Sequence, residues 1–252
     1  MPGECRAESF DGRTVVVTGA ASGIGAAVVA EFAARGARTA VVDIKRADAE
    51  AVAQELGPQH YGVRCDVADP ASVRMVTADI LDRFGHVDVL VNSAGVVRLA
   101  PAESLSVEDW DVTLAVNLRG TFLMCQEVGR AMVARGSGRI VNLASQAARV
   151  ALDEHVAYCA SKAGVVGLTR VLAAEWGQYG VTVNAISPTV VLTELGRAAW
   201  SGPKGDAMRD LIPVGRFAET TEIARAAVFL ASDDAGMITG HDLVVDGGYT
   251  VR

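Results

Sequence analysis

The chain has 252 residues, half of which are hydrophobic, and it carries a formal net charge of −7. This length and apolar content suffice for a large buried core, whereas a mildly acidic chain without basic runs argues against binding to nucleic acid or to an anionic membrane. We therefore expect neither a nucleic-acid nor a membrane partner.

Segments typical of strands and of helices alternate along the chain. Short and continuously apolar runs predict strands at residues 14–19, 38–43, 61–66, 87–92, 139–145, 181–187 and 243–246. The patterns between them predict helices at residues 24–34, between residues 43 and 57, and at about 70–84, 107–135, 158–179 and 221–231. Apolar runs that do not alternate with polar residues are typical of strands covered on both faces.

Repeated strand–helix units predict an α/β fold with parallel strands and right-handed crossovers. We expect a single Rossmann-type, doubly wound sheet of about seven strands, with helices on both faces and the strand order 3-2-1-4-5-6. No linker divides the chain, so residues 1–252 are predicted to form one dinucleotide-binding catalytic domain. The irregular segment 189–217 is the predicted mobile substrate flap.

The cysteines and the apolar runs indicate where the protein resides. Cys5, Cys65, Cys125 and Cys159 are scattered without C-x-x-C spacing, which favours reduced thiols over a disulfide frame or a zinc site. The first residues lack the apolar core of a signal peptide, and the apolar runs look too short and too broken by charge to cross a bilayer. We expect a soluble cytoplasmic protein.

A glycine-rich turn, TGAASGIG at Thr18–Gly25, follows the first predicted strand and opens a helix. Gly19 permits a tight turn, Gly23 lets the backbone approach a diphosphate, and Gly25 lets the helix pack closely against the sheet. The pattern is G-x-x-x-G-x-G rather than G-x-G-x-x-G, so the generic fingerprint does not match as written. The alternative is a turn that only reverses the chain.

Two aspartates end the second and third predicted strands. Asp43 is placed to accept hydrogen bonds from the adenosine ribose and to repel a 2′-phosphate, which favours NAD over NADP. It can instead cap the next turn, and Lys45 and Arg46 can soften the preference. Asp66 is a candidate for the adenine amino group or, equally, for the cap of the helix that begins near Pro70.

Tyr158 and Lys162 stand four residues apart in an apolar helical run, so they share one helix face. A nearby ammonium, and the positive ring of an oxidised nicotinamide, lower the pKa of a phenol, which can then accept a proton from an alcohol. Ser145 ends the fifth strand, at the sheet edge where ligands bind, and can stabilise the developing charge. Asn117 is a candidate to hold a water that links Lys162 to solvent, and NSAG at residues 92–95 lies at the predicted switch point.

These motifs together resemble the short-chain dehydrogenase/reductase family from Thr14 nearly to the C-terminus. The matching pieces are TGAASGIG, NSAG, Asn117, Ser145, YCASK and NAISPTVVLT. The resemblance implies a catalytic tetrad of Asn117, Ser145, Tyr158 and Lys162, with Tyr158 as the acid/base. With the turn and the aspartates, it implies a cofactor site of Gly19, Ser22, Gly23, Ile24, Gly25, Asp43, Asp66, Val67, Asn92, Ala94, Gly95, Tyr158, Lys162, Pro188, Val191 and Thr193.

Three residues depart from the usual family pattern. Ser93 replaces the second Asn of the common Asn-Asn-Ala-Gly, and Ala144 stands where a second serine is common. Thr189 replaces the usual Gly after Pro188, which brings a β-branched side chain to the nicotinamide end. The tetrad is complete, so this last change bears on the shape of the substrate.

The segments around the tetrad are similar to those of sugar-alcohol dehydrogenases within the family. Ser145, Gln146, His155 and Tyr158 are the predicted substrate contacts, although Gln146 can instead cap the strand end and His155 can be a helix-start residue without a substrate role. Arg98 and Trp200 are candidates for the mouth of the site. The histidines show no ligand spacing, so we predict no catalytic metal.

The resemblance implies NAD-dependent oxidation of a secondary alcohol in a short linear polyol, a tetritol or pentitol, to a ketose. Two alternatives remain: NADPH-dependent reduction of a 3-oxoacyl or cyclic ketone, and a non-catalytic NAD-sensing protein. The family also implies a homotetramer, with the helices over residues 107–135 and 155–179 as candidate interface elements.

Overall fold

Parallel strands of one sheet lie at the centre of the computed structural model, which describes residues 9–251 except the side chains of residues 195, 198 and 199. Within that part of the chain the sheet has seven strands in the order β3-β2-β1-β4-β5-β6-β7. The strands are β1 Thr14–Thr18, β2 Arg38–Asp43, β3 Tyr61–Arg64, β4 Val89–Asn92, β5 Gly138–Leu143, β6 Val181–Pro188 and β7 Asp242–Val245. The predicted fold class and the predicted strand order are confirmed.

Helices cover the sheet and connect its strands. They are α1 Gly23–Ala33, α2 Arg46–Leu56, α3 Pro70–Phe84, α4 Val107–Leu114, α5 Thr121–Arg135, α6 Val156–Trp176, α7 Glu194–Ala199, α8 Gly202–Asp210 and α9 Thr220–Ala231. The single helix predicted over residues 107–135 is continuous but not α-helical throughout, because the π-helical segment Ala115–Gly120 joins α4 to α5. Such wider turns often occur at functional sites.

The strands place alternate side chains in two different cores. Val15 and Val17 of β1 belong to the hydrophobic cluster on the face of α1 and α9, whereas Val16 packs in the cluster on the face of α3 and α5. Since successive strand residues point to opposite faces, a sheet buried on both faces needs apolar residues at every position. This is why the strand segments read as unbroken apolar runs.

Helix α6 lies in a stretch that contradicts the expectation that every apolar run is too short or too broken by charge to cross a bilayer. By length and composition the stretch Val156–Tyr179 is long and apolar enough to cross a bilayer, contrary to that expectation. In the fold, however, α6 packs on β6, and it buries Lys162, Val165 and Leu172. The core helix of a globular domain passes the same composition test, so this stretch is weak support for a membrane span.

The segment predicted as a flap contains α7 and α8. It packs through a small apolar cluster of Met208, Ile212 and Phe217 against Trp200 and Tyr249. The C-terminal residues therefore lie directly beneath this segment. Its movement on substrate binding stays a prediction.

Three of the four cysteines are free thiols, and Cys5 lies outside the described residues. Cys125 is fully buried, and burial raises the pKa of its thiol to about 12. A thiol with so high a pKa is almost wholly protonated near neutral pH and is a poor nucleophile.

Candidate active site

The glycine turn is shaped by close backbone contacts. Gly19 has φ +63°, and a Cβ there would lie 2.7 Å from Ala94 Cα, so the turn lies directly against the segment after β4. Gly23 has φ +56° and faces Thr193, whose Cγ2 would be 3.1 Å from an added Cβ. A Cβ on Gly25 would lie 2.1 Å from Gly19 O. Gly25 thus allows α1 to approach its own turn rather than the sheet, which corrects the predicted reason.

A long cavity of about 760 Å³ runs from this turn along the carboxyl edge of the sheet. It is lined by most of the predicted cofactor residues: Gly19, Ser22, Gly23, Ile24, Gly25, Asp43, Asp66, Val67, Ala94, Gly95 and Thr193. Residues that the sequence reasoning missed complete it: Val42, Ile44, Cys65, Ser93, Val96, Val116 and Glu194. The free amides at the start of α1 and the space that the glycines leave open fit a dinucleotide diphosphate.

Asp43 holds the end of β2 against the glycine turn. Its Oδ2 accepts a hydrogen bond from Ala21 N at 3.1 Å, and its Oδ1 accepts one from Lys45 N at 3.1 Å. The carboxylate therefore has a local turn-forming role and also lines the cavity. The turn-capping interpretation of Asp43 is thus confirmed, and its contact with the adenosine ribose stays a prediction.

Asp66 is not the cap of α3. That role belongs to Asp69, whose carboxylate accepts from Ala71 N and Ser72 N. Asp66 instead accepts from Ala68 N at 2.9 Å and lines the cavity. The helix-cap alternative for Asp66 was wrong, because the sequence offers two aspartates before the helix and the one directly before Pro70 takes the cap.

Asn92 was predicted to contact the cofactor, but its side chain lies inside the protein and does not line this cavity. Its Nδ2 donates to Asn142 Oδ1 at 2.8 Å, across β4 and β5, and the residue is 3% exposed. The turn after β4 is held instead by Thr18, whose Oγ1 accepts from the backbone amides of Ser93 and Ala94 at 3.2 Å each. Asn92 therefore supports the site from within the sheet.

Lys162 is buried at the junction of α6 and the sheet. It is 5% exposed, and its Nζ donates to Leu143 O, at the end of β5, over 2.7 Å. The same Nζ lies 5.6 Å from the centre of the Tyr158 ring. Burial lowers the pKa of Lys162 to about 8. At neutral pH the side chain is therefore still protonated in most of the protein molecules.

Tyr158 differs from the expectation in the sign of its pKa shift. Removal of the phenol from water raises its pKa above the ordinary value of 10.0, and the hydrogen bond with Ser145 opposes this only in part. The expected lowering by Lys162 does not dominate, since burial disfavours the phenolate more strongly than its neighbours favour it.

Ser145 lies two residues beyond β5, at the cap of the short 3₁₀ turn Gln146–Ala148. Its Oγ accepts from Ala147 N at 3.1 Å, and its hydroxyl lies near enough to the phenol of Tyr158 to favour the phenolate. The geometry thus places the serine and the phenol of the predicted tetrad on one wall of the site.

Asn117 lies in the π-helical segment and is fully buried. Its amide forms a two-way contact with Val96: Oδ1 accepts from Val96 N at 2.8 Å and Nδ2 donates to Val96 O at 2.9 Å. Nδ2 also contacts Ser161 Oγ, and the main-chain carbonyl accepts from Thr121 Oγ1. The side chain already has protein partners and positions the segment next to Lys162. The water predicted at Asn117 stays a prediction.

A second cavity, of about 550 Å³, opens beside the phenol. It is lined by all four predicted substrate contacts and by Pro188, Val191 and Thr193, and it shares Ile24, Ser93, Gly95, Val96 and Thr193 with the cofactor cavity. Arg98, Trp200 and Thr189 line it as well. The two cavities therefore adjoin at the glycine turn and the segment after β4, and Ser145, Tyr158 and Lys162 line the second cavity alone.

Gln146 and His155 both line the second cavity, and their contact with a substrate stays a prediction. Gln146 is 4% exposed and its Oε1 has no hydrogen-bond partner among residues 9–251, so the strand-end cap alternative was wrong for its side chain. The His155 ring lies 6.0 Å from that of Tyr158, with Nδ1 2.6 Å from Asp153 O. His155 does precede α6, but its side chain forms no helix cap.

No group of three or more His, Cys, Asp or Glu side chains is arranged to hold a metal ion within the described range 9–251. The prediction that no metal takes part in catalysis stays a prediction.

A dinucleotide cradle that meets a buried Tyr–Lys–Ser site defines a nicotinamide-dependent oxidoreductase. A family model described as enoyl-(acyl carrier protein) reductase matches residues 19–250. D-threitol dehydrogenase of Mycolicibacterium smegmatis is 64% identical over 246 residues, 96% of this chain and 95% of the relative. NAD-dependent glycerol dehydrogenase of Listeria innocua is 50% identical over 241 residues, 95% and 94% of the two chains.

Solved structures agree with these matches. The crystal structure of gox2181 superposes with a TM-score of 0.94 at 36% identity, over 97% of this chain and 98% of that one. The chain belongs to the short-chain dehydrogenase/reductase family. The resemblance inferred from the motifs is thereby confirmed.

Gly25→Ala is expected to abolish dinucleotide binding, because the added methyl group would lie 2.1 Å from Gly19 O and force the turn open. Gly167→Ala is the matched control, since nothing lies within 4 Å of an added Cβ on that helical glycine. Titration of NADH fluorescence compares the two variants with the wild type. Binding by Gly25→Ala within about twofold of wild type would contradict the role of the turn.

Proposed function

We propose that this protein oxidises a secondary alcohol of a short linear polyol, a tetritol or pentitol, to the corresponding ketose, with NAD as the hydride acceptor. The observation that carries the proposal is the shared wall of Ser145, Gln146, His155 and Tyr158, where the phenol and three further polar side chains line one cavity. The names of the threitol and glycerol dehydrogenases that it resembles support a polyol substrate.

The side chains of the site divide the reaction among them. When bound, an oxidised nicotinamide dinucleotide supplies a hydride acceptor and a positive charge beside the phenol. Tyr158, as phenolate, accepts the hydroxyl proton of the alcohol while hydride leaves the carbinol carbon, which becomes the ketone carbon. Ser145 donates a hydrogen bond to the same oxygen as its charge develops. Lys162 favours the phenolate with its ammonium group, and its bond to Leu143 O fixes where that charge lies.

The residues around Asp43 support NAD over NADP. A carboxylate at this edge of the cavity favours ribose hydroxyls and repels a 2′-phosphate. The two cations that follow it turn towards acidic residues of their own helix: Lys45 lies 3.7 Å from Asp48, and Arg46 lies 3.7 Å from Glu50. Neither Lys45 nor Arg46 lines the cofactor cavity, so neither side chain offsets the charge of Asp43 there.

The polar residues of the second cavity favour a polyol over a simple alcohol. Besides Ser145 and Tyr158, the cavity is lined by Gln146, His155 and Thr189. A hydrogen bond between a ligand hydroxyl and such a group contributes on the order of 0.5–1.5 kcal/mol. A substrate with hydroxyls beyond the reacting carbon can form such bonds, whereas a monohydric alcohol cannot.

We also propose a homotetramer. Val112 and Phe122 are exposed by 43% and 38%, and with Leu118 and Leu168 they line an open groove between α4, α5 and α6. Apolar groups exposed in this way on adjacent helices are typical of an oligomer interface. Sedimentation equilibrium is expected to give four times the chain mass of 26.2 kDa, and a monomer at micromolar concentration would reject this proposal.

The proposed reaction is tested by NADH formation with a panel of tetritols, pentitols and monohydric alcohols, each run with NAD and with NADP. We expect turnover of a linear polyol with NAD and loss of that turnover in Tyr158→Phe, which lacks the hydroxyl that moves the proton. Activity confined to NADPH and 3-oxoacyl or cyclic ketones would contradict the proposal. Tight NAD binding without turnover of any alcohol would point to a sensor instead.

Asp43→Ala is expected to relax the preference for NAD, because it removes the charge that repels a 2′-phosphate. The ratio of kcat/KM for NAD to that for NADP should fall by about tenfold or more, as for loss of a charged contact. Asp82→Ala, an exposed aspartate of α3 that does not line the cofactor cavity, is the control and should leave the ratio unchanged. A ratio that stays the same in Asp43→Ala removes this residue from cofactor selection.

A further inference from the structure

A buried carboxylate at the start of β7 connects two walls of the substrate cavity. The Asp242 side chain is 3% exposed, and each of its oxygens has a partner. Oδ1 accepts from Ser187 Oγ at 2.6 Å, and Oδ2 accepts from Arg149 Nε at 2.8 Å. A second arginine nitrogen contacts the Asp242 main-chain oxygen at 3.4 Å. The contact between Arg149 and β7 therefore engages both the side chain and the backbone.

Arg149 in turn closes the 3₁₀ turn that carries the substrate-facing residues. Its backbone amide donates to Gln146 O at 2.8 Å, and Val150 N donates to the same oxygen at 3.0 Å. The Gln146 side-chain oxygen has no partner within the described chain, so its side chain does not anchor the turn through that atom. The turn is held at one end by Ser145 and at the other by Arg149.

The second partner of Asp242 leads to the opposite wall. Ser187 is the residue before Pro188 and Thr189, which both line the substrate cavity. One carboxylate thus joins the end of β6 to the turn after β5. A charge pair of which one member is buried is strongly sensitive to loss of the other member, since an unpaired buried carboxylate is costly.

We propose that Asp242 and Arg149 are positioning residues that fix Gln146 and Ser145 relative to Tyr158, and that they thereby set the preference for polyols over monohydric alcohols. Neither side chain lines the substrate cavity, so both act through the residues they hold. The inference rests on the proposed function for its activity readout. Its second readout, amide hydrogen exchange in the turn, does not depend on the proposed function.

The test compares Arg149→Gln with Arg13→Gln. Arg13 is the matched control. It directly precedes β1, at the amino-terminal ends of the strands and away from the substrate cavity, and it forms a 2.6 Å ion pair with Asp233. In Arg149→Gln, the ratio of kcat/KM for the best polyol to that for 2-butanol should fall by about tenfold to a hundredfold, as for a misplaced contact. The Kd for NADH should stay within about twofold of wild type, because the cofactor cradle is untouched.

Amide hydrogen exchange at residues 147–150 supplies the readout that needs no substrate. Exchange there should become faster in Arg149→Gln and stay as in wild type in Arg13→Gln. Arg149→Gln/Asp242→Asn removes the buried unpaired carboxylate and keeps the experiment informative if the single variant does not fold. The double variant should give the same loss of polyol preference and the same faster exchange.

The outcomes separate this inference from the proposed function. Equal losses for the polyol and for 2-butanol, or unchanged exchange at residues 147–150, would overturn the positioning role. Absence of polyol turnover in the wild type would reject the proposed function alone. In that case faster exchange confined to the Arg149 variants would still support the positioning of the turn, and unchanged exchange would overturn it.

Discussion

The site depends on one constraint: a buried ammonium must have a partner. Lys162 is 5% exposed, and its Nζ donates to Leu143 O at 2.7 Å, where β5 ends. Without that acceptor the charge would be too costly to bury, and α6 would lack a polar attachment to the sheet edge. The same bond places Tyr158, four residues earlier on α6, beside Ser145, which follows β5. The fold thus produces the catalytic arrangement through a helix–sheet contact.

Other backbone contacts position the rest of the site around this bond. The π-helical segment turns Asn117 towards Val96, and the glycine turn packs directly on Ala94, so the loop after β4 is held from two sides. That loop separates the cofactor cavity from the substrate cavity and contributes residues to both. A Cβ on Gly19 would collide with Ala94, and the side-chain amide of Asn117 pairs with the Val96 backbone. Substitution of either residue is therefore expected to displace the loop.

Much of the fold could be predicted from the sequence, because strands buried on both faces leave unbroken apolar runs and because the motifs follow strand ends in order. The positions of Ser145, Tyr158 and Lys162 at the sheet edge were predictable for the same reason. Three features were not. The π-helical segment depends on a tertiary contact of Asn117, the cap of α3 falls to Asp69 rather than Asp66, and Arg149 meets Asp242 across 93 residues. Likewise the pKa of Tyr158 depends on burial, which a sequence pattern does not measure.

The proposed reaction requires positive charge that outweighs the effect of burial on the pKa of Tyr158. The most direct measurement is the absorbance of its phenolate at 295 nm as a function of pH, taken as the difference between wild type and Tyr158→Phe. Without cofactor the pKa should lie above the ordinary value of 10.0; with saturating NAD it should fall below that value, and less so in Lys162→Met. A pKa that stays unchanged on NAD binding would contradict the account.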